Sequence, residues 1–178
     1  MPLIAVRRRS QRKLARLGLL LTFGSVSAVL CGQTIEVKLV DGRSGHPMSN
    51  TCVNVWVGRQ QKDALSIPTD KNGVARLRLT DSDAEVNTQD RWKACGEFGV
   101  INPVVKFDNS VSINAGYVLC QSQATDYSWL AVKEIPTNQI VRPGVVTANA
   151  CGKAMSSPSP GEVVIFVRPL SLWEKLKQ

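Results

Sequence analysis

Short runs in which apolar and polar residues alternate one for one dominate this chain, and that period belongs to half-buried β-strands rather than helices. Residues 34–40 read TIEVKLV, with Ile35, Val37 and Leu39 on one face and Glu36 and Lys38 on the other. Residues 51–57, TCVNVWV, repeat the pattern with Val53, Val55 and Val57, and residues 74–79, VARLRL, with Ala75, Leu77 and Leu79. Turn chemistry separates them: Asp41-Gly42-Arg43-Ser44-Gly45 after the first run, Thr69-Asp70-Lys71-Asn72-Gly73 before the third. Val104–Phe107 and Ser110–Ile113 read as a hairpin around Asp108-Asn109. Tyr117–Cys120 extends the sheet, and Trp129–Ile135 fits either a strand or one helical turn. Glu162–Val167, EVVIFV, is apolar on both faces and predicts a central strand. Many short strands with Gly, Pro and Asn-Gly between them predict an all-β Greek-key sandwich.

The N-terminus reads differently. Arg7, Arg8, Arg9, Arg12, Lys13 and Arg16 precede the apolar run LGLLLTFGSVSAVL at 17–30, with small residues after it. Those are the parts of a secretory signal, and the run is short for a membrane span. Cleavage after Val26-Ser27-Ala28 or near Gly32-Gln33 fits. Cys31 follows Ala28-Val29-Leu30, which lacks the small residues a lipoprotein peptidase reads. The domains expected are a signal over 1–32, a sandwich over 33–169 and a short amphipathic helical tail over 170–178, with Leu172, Trp173 and Leu176 on one side. That tail is expected to dock back onto the sandwich, with a partner or membrane-surface contact as the alternative. Export also reinterprets the charge. The formal net charge is +8, but from Gln33 onward 16 basic residues face 14 acidic ones, a balance of +2. A nucleic-acid partner loses its electrostatic support at this point.

Outside the signal the cysteines are Cys52, Cys95, Cys120 and Cys151. Four cysteines in an exported chain predict two disulfides. Three pairings are open, and Cys120 with Cys151 and Cys52 with Cys95 is the preferred one. No two are spaced as a zinc knuckle, and His46 is the one histidine.

Residues 34–79 carry a recurrent order. A strand is followed by Ser44-Gly45-His46-Pro47-Met48, then a valine-rich strand, then Thr69-Asp70-Lys71-Asn72-Gly73-Val74-Ala75-Arg76-Leu77. This resembles the carboxypeptidase regulatory-like domain and its transthyretin-like (prealbumin-like) relatives, in which a "t-G-x-P" segment and a "T-D-x-x-G" turn flank the second strand. The resemblance implies a seven-stranded Greek-key sandwich serving as a structural, adhesive or ligand-presenting module. One transthyretin-like branch hydrolyses a purine-derived ring with several histidines, which this chain lacks.

The chemistry candidates are few. A serine triad needs a base, and His46 sits alone in a turn. Asp81, Asp83 and Glu85 alternate as calcium donors would, but without the loop glycine and bidentate acid of a calcium loop, so a solvated loop is the favoured account. Trp56, Trp92, Trp129 and Trp173, with Tyr117 and Tyr127, could stack on a sugar or fill a core. Trp56 faces away from Val53, Val55 and Val57 and is the best candidate for exposure, but core or sheet-to-tail packing is the favoured account of these aromatics; with Trp173 it is the candidate for binding. No cofactor is implied. The expected function is an exported, periplasmic or secreted, non-catalytic module that contacts an envelope or extracellular protein or a glycan. The alternatives are an envelope or sensor protein that keeps its N-terminal segment as its only membrane contact, and a carboxylate-dependent hydrolase.

Overall fold

The computed structural model describes residues 33–58, 64–81, 95, 99–121, 133–172 and 176. The signal expected over 1–32 lies outside them, as do Asp83, Glu85, Trp92, Tyr127, Trp129 and Trp173. The described strands are β1 (Gln33–Asp41), β2 (Cys52–Val57), β3 (Leu65–Pro68), β4 (Val74–Thr80), β5 (Val104–Lys106), β6 (Ser110–Asn114), β7 (Val118–Leu119), β8 (Lys133–Pro136), β9 (Val145–Val146) and β10 (Glu162–Arg168). A single helical turn, α1 (Thr137–Val141), follows β8. Among the described residues no helix is long and apolar enough to cross a membrane.

The strands form two sheets, so the chain is an all-β sandwich. One sheet runs β5-β4-β1-β10-β7, with β9 also on β10; the other runs β3-β2-β6-β8. β1 and β10 pair in parallel, Val37 opposite Val163 and Leu39 opposite Ile165. β1 pairs with β4 antiparallel, which sets Ile35 opposite Leu77 and Val37 opposite Ala75. The alternating residues of these three strands therefore form one apolar inner face. Val53, Val55, Ile67, Val111, Ile113 and Ile135 of the second sheet close on it, and the two faces exclude water from each other.

Two elements differ from expectation. Residues 104–107 and 110–113 do not form a hairpin. β5 pairs with β4 in the first sheet and β6 with β2 in the second. A two-residue hairpin loop needs positive φ in the turn, and neither Asp108 nor Asn109 adopts it. The chain turns a corner between sheets instead. Thr137 holds that corner, with its N–H donating to Asn109 O at 2.9 Å and its hydroxyl to Asp108 O at 2.6 Å. The second difference is β3, which the sequence reading passes over as a strand. It has four residues and ends in Pro68, and proline suits this edge position. The ambiguous stretch before Pro136 resolves as strand over its described part.

Candidate functional site

Residues 44–48 and 69–77 meet at one end of the sandwich. The backbone N–H of Met48 donates to Leu39 O at 3.0 Å, and Leu39 N–H to Gly73 O at 2.9 Å. Gly73 has φ 74°, and a Cβ there would lie 2.7 Å from Leu39 O, so the turn requires glycine twice over. Thr69 stitches the segments together. Its buried hydroxyl donates to Met48 O at 2.7 Å and accepts from Thr51 N–H at 3.0 Å. Thr69→Val keeps the shape and leaves the buried Thr51 N–H without its acceptor. The expected cost is about 2–3 kcal/mol, read from the urea midpoint; a loss within about 0.5 kcal/mol would mean the hydroxyl is not a stitch.

The adjacent turn is organised by Asp70. Its Oδ1 accepts from the N–H of Asn72 at 2.8 Å and of Val74 at 3.1 Å. Its Oδ2 accepts from Arg76 Nη1 at 2.6 Å, and Arg76 Nε donates to Glu36 Oε1 at 2.8 Å. The guanidinium and the two turn amides hold the Asp70 carboxyl below its ordinary range, and Arg76 is raised in turn, by Asp70 first and Glu36 second. A depressed folded pKa stabilises the fold above the ordinary value of 3.8, and that contribution is lost as pH falls through the folded value. Asp70→Asn keeps the acceptor and removes the charge. The variant is expected to melt below the parent at neutral pH and to converge with it by about pH 2; parallel melting curves down to that pH would refute the assignment. Asp41 shows the same pattern in the first turn. The N–H groups of Ser44 and Arg43, each 2.8 Å from Oδ1, lower its pKa.

Cavities flank this framework. One of about 280 Å³ lies beside Asp70 and Arg76 and is rimmed by Asn50 and Asn102. A second, of about 550 Å³, opens between the sheet edges, from Lys133 and Ile135 of β8 to Val145 and Val146 of β9. A third, of about 460 Å³, lies on the far side of β9, against Met155 and Phe166. Val146 and Thr147 line both of the last two. Here a strap over residues 147–156 covers the outer face of the first sheet, where Val40, Val164 and Phe166 are buried with Cys120. Thr147 Oγ1 accepts from Phe166 N–H at 2.9 Å, and Asn149 Nδ2 donates to Gly42 O at 2.8 Å. Val146 is 40% exposed and Met155 94%.

The disulfides are Cys52–Cys95 and Cys120–Cys151, the pairing preferred from sequence. The second bolts the strap to the end of β7. Trp56 is only 6% exposed, which agrees with the packed account of the aromatics and removes it as a binding candidate. Alternation gives the direction of a side chain, not what covers that face. The outward residues Ser66 and Ser112 beside it are buried too, while Asn54, two residues earlier on the same face, is exposed, so the cover is local to Trp56. The tail is a correction. Leu172 and Leu176 are 77% and 79% exposed, so these side chains do not dock. β10 ends at Arg168, and Pro169 carries the chain off the end of the sheet. Tyr117 packs half-buried against the core and lies 3.3 Å from the Thr51 hydroxyl. His46 is exposed in the first turn and Asp81 is exposed just past β4. Among the described residues no three His, Cys, Asp or Glu side chains gather where they could hold a metal.

Sequence reasoning missed Asn50, Asn102, Val146 and Met155. The signals were Ser49-Asn50 and Asn102-Pro103, turn-forming pairs, and a lone methionine in the polar run KAMSSPSPG. No family model matches this chain, and neither a curated protein nor a solved structure is significantly similar to it.

Proposed function

We propose that this protein is an exported, non-catalytic β-sandwich module of the transthyretin-like, carboxypeptidase regulatory-like kind, and that it acts by contacting another envelope or extracellular protein. The observation that carries this reading is the display, beside two clefts, of Met155 on a strap fixed by a disulfide and of Val146 at the end of β9. Methionine is polarisable and adaptable, and is enriched at protein interfaces. A rigid mount lowers the ordering cost of binding. Two intramolecular disulfides are typical of proteins in oxidising compartments, in keeping with a periplasmic or secreted location. The resolved carboxylate shifts, of Asp41 and Asp70, are both downward. A general acid needs the opposite, so neither of these two suits that role.

The test is a photoreactive amino acid at position 155, in the full chain expressed with its N-terminal segment. A discrete cross-linked adduct in the exported fraction is expected, and Val146→Lys should abolish it. No adduct, or one indifferent to residue 146, would overturn the reading.

A further inference from the structure

The cavity of about 280 Å³ beside Asp70 and Arg76 combines two unusual features. Among the described residues two non-glycine positions have positive φ, Asn50 at 54° and Asn102 at 48°, and both line this cavity. Glycine meets such a backbone without steric cost; asparagine meets it and adds an amide. Both residues are exposed, and neither side-chain amide has a partner among the described residues. They come from separate segments, one leading into β2 and one into β5. Between them Arg76 is fixed through Nε and Nη1 by Glu36 and Asp70, which leaves Nη2 to donate.

The rim offers donors from two amides and a guanidinium, and acceptors from two amides and a carboxylate. The charged residues of the lining itself, Asp70 and Arg76, cancel, and Glu36, which also pairs with Arg76, lies outside the lining. An anion placed there meets Asp70 and a cation meets Arg76. A neutral ligand whose groups both donate and accept satisfies the set, and hydroxyl groups do so. Val74, Pro68 and Ile101 supply an apolar wall for the carbon framework of such a ligand. A peptide is the poorer fit, because the edge of β3 is bridged at its centre, where Val100 N–H donates to Ser66 O at 2.9 Å, and Pro68 offers no N–H, so an added strand would find an interrupted ladder.

We infer that this cavity binds one neutral sugar ring of a glycan, gripped by Asn50 and Asn102 and oriented by Arg76. It is a ligand site separate from the Met155 surface and does not depend on it. The cavity is near the small end of ligand sites and has no aromatic platform, so the expected affinity for a monosaccharide is in the millimolar range.

The test is a ¹⁵N–¹H titration of the disulfide-bonded protein with glucose, galactose, mannose and N-acetylglucosamine, watching the side-chain amides of Asn50 and Asn102. Saturable shifts at both with at least one sugar are expected. Asn50→Gly and Asn102→Gly should each weaken binding by about tenfold while the melting temperature holds or rises, since glycine relieves the backbone. No saturable shift with any sugar would overturn the inference. So would glycine variants that bind as the parent does, or shifts produced by trialanine and not by sugars. Cross-linking through position 155 reads another face of the molecule, so failure of either test leaves the other standing.

Discussion

Ile165→Ala is expected to cost about 3–4 kcal/mol, within the range for removing a fully buried branched side chain from a packed core. Ile165 is fully buried at the middle of β10 and sits opposite Leu39 of β1. Its inner face meets Val53, Val55, Ile113 and the other residues that close the sandwich from the second sheet. The backbone cannot collapse into the space left, because β10 is held on one side by β1 and on the other by β7 and β9. Urea unfolding at 25 °C checks it: the midpoint should fall with an unchanged slope, since the surface exposed on unfolding stays the same. Lys38→Ala, on the polar outer face of the neighbouring strand, should stay within about 0.5 kcal/mol; its 3.8 Å pairing with Glu162 is a partly exposed contact of small worth. A loss below about 1 kcal/mol at Ile165 would mean that the two inner faces do not form one packed core.

What the sequence made legible follows from what each signal encodes. Glu162–Val167 was apolar on both faces, and β10 has Val163, Ile165 and Val167 in the shared core and Val164 and Phe166 under the strap. A strand with no polar side must be covered twice, and it is. Alternation likewise assigned the inner faces of β1, β2 and β4 residue by residue. The same signal left Trp56 open between a bare and a covered face, because period two separates the faces of a strand without saying which are bare. The corner at Asp108-Asn109 failed for a related reason. Two short apolar runs joined by two polar residues look alike whether the second strand returns to the first or departs to the opposite sheet, and the choice lies in the φ angles and in Thr137, 28 residues beyond Asn109. The candidate sites were least legible of all. Asn50 and Asn102 come together only because the segment before β5 passes beside the turn that follows β3, and no local pattern reports that meeting.

Removing the strap disulfide by Cys120→Ala with Cys151→Ala should cost about 3–4 kcal/mol, the loop-closure expectation for a bridge of this span. The cysteines are 31 residues apart in sequence and their Cα atoms 5.2 Å apart, so the unfolded chain regains the freedom of the whole loop that contains β8, α1 and β9. Alanine is the better replacement at Cys120, which is 1% exposed, because a serine hydroxyl would be buried there without an assured partner. The space is tight: a methyl at Gly42 would lie 2.6 Å from Cys120 Sγ, so shortening that side chain opens room beside the first turn. The strap keeps its other fastenings, from Thr147 to Phe166 N–H, from Asn149 to Gly42 O and from Ala150 N–H to Cys120 O. The native state of the variant should therefore remain folded, with faster amide exchange at Thr147 and Phe166 as the strap lifts from Val40 and Val164. A loss under about 1 kcal/mol with unchanged exchange at those two amides would mean that the hydrogen bonds of Thr147, Asn149 and Ala150 are enough to hold the strap. The rigid display of Met155 would then rest on hydrogen bonds, and it would survive reduction of the disulfide.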